Sequence, residues 1–293
     1  MQNSPAFYTT QYASAVMLLS QQMETKVAQF FTQGTGEGKS ATVVDQMDAI
    51  EADERVTRLD AITPKDPAMT RPWIYPRTFD AAVMFDTFDK MRMNADPTSA
   101  ATQNIVAALN RKQDDEAIAA FFRDRQLGEN AGTTESFSAS YQVSVNTGGT
   151  ASGMNVEKLQ NAIQIFEENE IDLDQEQLHL ALSPKQARNL GNEIEVISSD
   201  FYGGYMRTRK LDGFLTLRYH LTNRLPVNGS SYRRCPMWTQ KGMAVFTWPA
   251  ATLTKVSQRD DIRGQPWQAY QQGAWGAVRV DQKRVVEIPC AES

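Results

Sequence analysis

Residues 276–288, GAVRVDQKRVVEI, close a series of strand-like segments and end in the β-compatible run Val285-Val286-Glu287-Ile288. The earlier members are GFLTLRYHL, KGMAVFTW and ATLTKVSQ, parted by turn signals such as Asn228-Gly229 and Arg263-Gly264. From Leu211 onward the chain therefore reads as β.

Upstream the pattern changes. Tyr12, Val16, Leu19, Met23, Val27 and Phe30 recur three and four apart, which predicts an amphipathic helix over residues 12–31. It ends in the breaker QGTGEG. Residues 40–79 mix short β-compatible pieces with acids and with Pro64, Pro67, Pro72 and Pro76. This ribbon is too polar to make a core, and Trp73, Ile74 and Tyr75 need a surface to bury against. A run free of Pro and Gly, rich in Ala, Leu and Gln, predicts one long helix over 99–125. SFSASYQVSV alternates like a strand. Asn155 is placed to cap a helix lined by Val156, Leu159, Ile163 and Phe166. LHLAL reads as a short buried strand, and Ser183-Pro184 opens a short helix stopped at Gly191. The sum is an α+β protein with no internal repeat.

The 293 residues, 41% apolar and 22% charged, suit a soluble globular protein of one large domain or two smaller ones. No apolar run nears the roughly 20 residues that cross a bilayer, and MQNSPAFYTT lacks a signal-peptide layout. No membrane association is expected. Cys235 and Cys290 fit neither a disulfide framework nor a zinc site. A net charge of −5 argues against coating nucleic acid by broad electrostatics. Between Val43 and Asp60 six acids stand against two bases; between Tyr205 and Lys241 eight bases stand against Asp212 alone. A solvated face is the plain reading of such separation, while in a self-assembling protein the two regions can meet between copies.

The stretch Gln33–Ser40, QGTGEGKS, ends like a phosphate-binding loop. Its first glycine is misplaced: the consensus requires Gly where Gln33 stands, and Gly34 is one residue too close. The loop is also expected to follow a helix and precede a ribbon, the wrong context. Gly34, Gly36 and Gly38 are instead read as a hinge. His179 and His220 lie in strand-like sequence and are expected to be packed or surface residues. Neither a Gly-x-Ser-x-Gly elbow nor a His-Glu-x-x-His pair occurs. The Asp172-x-Asp174-x-Glu176 alternation reads as a solvated turn. No catalytic residue, cofactor or metal is expected. Met17, Met23, Met84, Met91 and Met93 fit core filling, or an adaptable interface.

The order of elements resembles the major capsid protein of tailed double-stranded-DNA bacteriophages, a fold shared with encapsulins and the herpesvirus shell floor. Residues 241–290 carry this best: a strand, a charged turn, Gly276-Ala277-Val278-Arg279-Val280-Asp281, then Val285-Val286-Glu287-Ile288. Leu109-Asn110-Arg111 with Asp114 fits the same family's Leu-x-Arg-x-x-Asp habit, and Asn155 to Glu170 followed by LHLALSPKQARNL resembles its axial domain. The resemblance implies an N-terminal arm (1–38), an extended E-loop (39–80), a P-domain (81–147) with a spine helix (99–125), an axial A-domain (148–240) and a return to the P-domain sheet (241–293). It implies a structural, non-enzymatic subunit of the virion, assembled in the host cytoplasm into an icosahedral shell of hexamers and pentamers around double-stranded DNA. The DNA is enclosed without sequence-specific binding. Expected inter-subunit contacts are Trp73, Ile74, Tyr75 and Arg77 on the E-loop, Tyr12, Val16, Leu19 and Met23 on the arm, and Arg207 and Arg209. A separate scaffolding protein, a portal and decoration proteins are the implied partners. The alternatives are an encapsulin-like nanocompartment shell and a nucleotide-binding enzyme using Gly34–Ser40.

Overall fold

A computed structural model describes residues 21–43, 45–55, 57–58, 62, 64–85, 98–128, 132–147, 149–193, 211 and 214–292. Tyr12, Val16, Leu19, Arg207 and Arg209 lie outside the described residues. The labelled strands are β1 (Thr32–Thr35), β2 (Arg77–Phe85), β3 (Leu178–Leu182), β4 (Arg218–Leu221), β5 (Arg233–Thr239), β6 (Met243–Thr247), β7 (Leu253–Gln258), β8 (Trp267–Arg279) and β9 (Val285–Cys290). The helices are α1 (Thr98–Phe122), α2 (Val156–Glu168) and α3 (Pro184–Gly191).

The chain divides into two units, one of residues 1–24, 78–112 and 250–274, the other of 25–77, 113–249 and 275–293. In the first, β7 runs antiparallel to Trp267–Gln272 of β8, and β2 also pairs with β8. The second holds the main core. Its principal sheet has the order β4-β3-β5-β9, with β3 parallel to β4 and antiparallel to β5. Every residue of LHLAL is buried, as a strand covered on both faces requires. Leu159 and Phe166 of α2 join Leu180, Leu182, Trp238, Val286 and Ile288 in one apolar cluster. The caps are as the sequence predicts: Asn155 Oδ1 accepts from Lys158 N at 2.9 Å, and Ser183 Oγ accepts from Gln186 N at 3.3 Å. A second sheet places β1 parallel to β6, which runs antiparallel to Trp275–Arg279 of β8.

The polar ribbon forms two short antiparallel pairs, Ala41–Thr42 with Trp73–Ile74 and Gln46–Met47 with Met69–Thr70. Its base continues through Trp73 to Gln126.

Several expectations need correction. Residues 21–31 hold no α-helix, only a 3₁₀ turn at Ala28–Phe30, because Asp114 takes the amide protons that a helix would use. SFSASYQVSV makes a 3₁₀ turn at Ala139–Tyr141, favoured by Ser138 Oγ accepting from Ser140 N at 3.3 Å. In GFLTLRYHL only Arg218–Leu221 is a strand; a 3₁₀ turn with Leu215 and Thr216 at positive φ precedes it. The long helix begins one residue earlier and ends three earlier than 99–125, where Arg125 joins a strand pair.

Candidate assembly surfaces

The Leu109, Arg111 and Asp114 of α1 have distinct roles. Leu109 is buried. Arg111 Nη1 donates to Gln21 Oε1 at 2.6 Å and to the Gln22 carbonyl at 3.2 Å, while Asn110 Nδ2 donates to the Met23 carbonyl at 2.8 Å. In the second unit the fully buried Asp114 carboxylate accepts from three successive amides: Lys26 at 2.8 Å, Val27 at 3.1 Å and Ala28 at 3.2 Å. A carboxylate collecting the amides of one turn is the geometry of a helix N-cap, here supplied from far along the chain. Arg111 and Asn110 thus hold residues 21–23, and Asp114 seats residues 26–28 of the segment expected as an arm.

Beyond Ala28 the arm inserts two rings. Phe31 meets Phe121 edge-on at 5.3 Å and Trp238 at 5.9 Å between centroids. Phe30 stacks on His220 at 4.1 Å and lies 5.0 Å from His179. The histidines touch, Nδ1 of His179 to Nε2 of His220, at 2.9 Å. Burial, then Arg218, pushes His179 down to about 4; burial, then His179 and Arg218, pushes His220 down to about 3. Both are neutral at pH 7 and packed.

At the ribbon base Ile74 is buried within its own subunit, against Gly276 of β8. That corrects its expected role: a side chain already covered cannot anchor a neighbour. Trp73 and Tyr75 are half-buried, and the Tyr75 hydroxyl donates to the Gly128 carbonyl at 3.3 Å. Arg77 is half-exposed and shares the buried Glu116 carboxylate with Arg123, at 3.3 and 2.5 Å. Farther out, Met47 and Met69 sit opposite each other and stay 60% and 67% exposed, with Ile50 and Ile62 exposed beyond them. Two of the nearby acids are paired within the ribbon, Asp45 with Arg71 at 2.5 Å and Asp53 with Lys65 at 2.7 Å.

Four of the eight bases of the basic stretch are paired inside the chain. Arg224 pairs with Asp115, Arg233 with Glu292, Arg234 with the buried Glu287 and Lys241 with Glu176, all within 2.5–2.8 Å. These four bases are not a free patch for another copy's acids.

QGTGEGKS also resolves. Its start is the parallel strand β1 and not a helix end, but the residues after Lys39 form the Ala41–Thr42 strand and open no helix, so no phosphate cradle exists. The hinge reading of Gly34 and Gly36 is corrected by their packing. A Cβ there would come within 2.5 Å of the Phe246 ring and 2.3 Å of the Trp248 indole. Gly38 alone has the turn conformation, φ 68°, with open space beside it. Lys39 lines a cavity of 430 Å³ with Trp73, Tyr75, Arg77 and Arg123. Asp172 Oδ1 accepts from Asp174 N at 3.1 Å in a turn, and no cluster of three or more metal-ligating side chains occurs among the described residues.

The described residues thus form a two-unit α+β frame carrying a ribbon on which Met47, Ile50, Ile62 and Met69 stay exposed. A family model for phage capsid protein matches residues 4–292, and the chain belongs to that family. It is a structural major capsid subunit of the virion, forming the shell by self-association. Among solved structures, a chain from Mycobacterium phage Che8 is 12% identical, with a TM-score of 0.70 over 97% of this chain and 98% of that one. The capsid of cyanophage P-SCSP1u is 14% identical, with a TM-score of 0.71 over 97% and 94%. The capsid of Ralstonia phage GP4 is 9% identical, with a TM-score of 0.71 over 100% and 98%. The likeness lies in the fold. No curated protein matches the sequence significantly.

Proposed function

We propose that this subunit builds an icosahedral shell of hexamers and pentamers around double-stranded DNA, and that residues 39–80 are its E-loop, laid over a neighbouring subunit. The observation that carries this reading is the exposed Met47–Met69 pair with Ile50 and Ile62, on a ribbon whose base is clamped by Ile74. Apolar area of this kind is stabilised by burial at about 25 cal/mol per Å², and among the described residues these four side chains stay exposed. Many such weak contacts, repeated around a closed symmetry, hold a shell while each remains correctable. Trp73, Tyr75 and Arg77 flank the ribbon base, and Tyr12, Val16, Leu19 and Met23 would carry the arm's contacts, with Arg207 and Arg209 near the capsomer centre. The role is mechanical and needs no catalysis. Assembly in the host cytoplasm with a separate scaffolding protein, a portal and decoration proteins completes the proposal, and the net charge of −5 limits sticking to the enclosed DNA.

Deleting residues 48–68 tests it while sparing Ile74. The shortened protein is expected to stay folded, with circular dichroism and thermal midpoint close to the full chain's, and to form no shells in electron micrographs. Normal shells from the shortened protein would remove the E-loop assignment.

A further inference from the structure

The arm's Phe30 rests on two ionisable rings. His179 on β3 and His220 on β4 share one contact of 2.9 Å between ring nitrogens, so the docked arrangement holds one donor and one acceptor. Trp238 of β5 backs both rings at 5.5 and 5.6 Å, and Phe30 closes the other side. The charges around them do not favour an imidazolium. Arg218 of β4 bears on both rings. From the arm, Lys26 Nζ lies on the Leu221 carbonyl at 3.0 Å. From α1, Asp114 is occupied by the three arm amides, and Phe121 brings only a ring.

We infer that the His179–His220 pair is a proton-operated latch on the arm: the neutral pair holds Phe30 against the sheet, and protonating both rings expels it. A second proton would place N–H against N–H across the 2.9 Å contact, next to Arg218 and away from water. The sign follows from the lowered affinities. Uncovered rings take protons near the ordinary value of about 6.5, whereas the covered rings wait until about 4 and about 3. Acid therefore favours the uncovered state: seating is fully held above about pH 6.5 and weakens as the pH falls toward 4. This regulation is independent of the E-loop assignment.

Hydrogen exchange of the full chain, read by mass spectrometry on peptides covering residues 25–31 and 178–182, tests the latch. Corrected for intrinsic exchange, protection of 25–31 is expected to fall about tenfold or more between pH 7 and about pH 5, while 178–182 stays protected. Arg218→Gln removes the facing charge from an exposed position, raises proton affinity in the docked state and should shrink the fall. His220→Phe keeps a ring under Phe30 but leaves one titrating site, and should also shrink it. The latch is overturned if the unaltered arm keeps its protection at about pH 5, if 178–182 opens with it, or if either variant shows the unaltered pH dependence.

Discussion

Asp114→Ala is expected to lower the stability of the unassembled subunit by about 3–5 kcal/mol, because it strips a charged acceptor from three amides at once. Two of those amides, Val27 and Ala28, belong to fully buried residues that water cannot reach without moving the arm. Orphaning each donor costs about 1–3 kcal/mol, and the contributions are not simply additive. Asp114→Asn keeps one carbonyl acceptor and should cost roughly half as much. Urea unfolding measures the difference, and proteolysis should cut the Ala variant near residues 25–31 first. If Asp114→Ala unfolds like the unaltered chain, the carboxylate does not seat the arm.

The second large effect is expected at Gly276. A Cβ there would lie 2.5 Å from the Tyr75 carbonyl oxygen and 2.7 Å from Ile74 Cγ2, so backbone must move. Overpacking of this kind costs about 1–3 kcal/mol, and Gly276→Ala should fall at the upper end because the obstruction is main chain. The displaced strand, Trp73–Ile74, also pairs with Ala41–Thr42, so the whole ribbon base should loosen. The readouts are a lower thermal midpoint and faster proteolysis between residues 41 and 75. Gly132→Ala, with nothing within 4 Å of the added carbon, is the matched control and should behave like the unaltered chain. Equal midpoints for the two variants would refute the packing argument.

Much of the fold is written locally. α2 announces itself through Asn155 and the spacing of Val156, Leu159 and Phe166, and β3 through five consecutive residues that need no polar face. The site was legible only in part. Val27 and Phe30 repeat with helical spacing, yet Phe30 covers His220 while Val27 is tied at its amide to Asp114. Periodicity reports which residues are apolar and not which carboxylate, dozens of positions away, will claim the backbone. The glycines misled for the same reason: Gly34 and Gly36 are small because Phe246 and Trp248 lie over them, and those rings are more than two hundred residues distant. Arg224, Arg233, Arg234 and Lys241 read as part of a patch because their partners Asp115, Glu292, Glu287 and Glu176 are scattered along the sequence. The Leu-x-Arg-x-x-Asp and Gly-Ala-x-Arg motifs are visible in the sequence, whereas their tasks, gripping residues 21–28 and admitting the ribbon base, depend on partners far away along the chain.

The arm's seat also has a timetable. Residues 26–28 leave the ribosome early, but their acceptor Asp114 follows 86–88 residues later, and the Leu221 carbonyl that takes Lys26 follows 195 later. Trp238, which closes the pocket over Phe31, comes later still. Closing loops of that length carries a chain-entropy cost that grows only slowly with length, but no contact rewards it until the far side exists. The segment made among the first therefore completes its seat only after Trp238 has been made. A truncated chain ending before β5 keeps Asp114, Phe121 and Leu221 but lacks Trp238, so it is the completed seat of Phe31 that reports translation past the middle of the sheet.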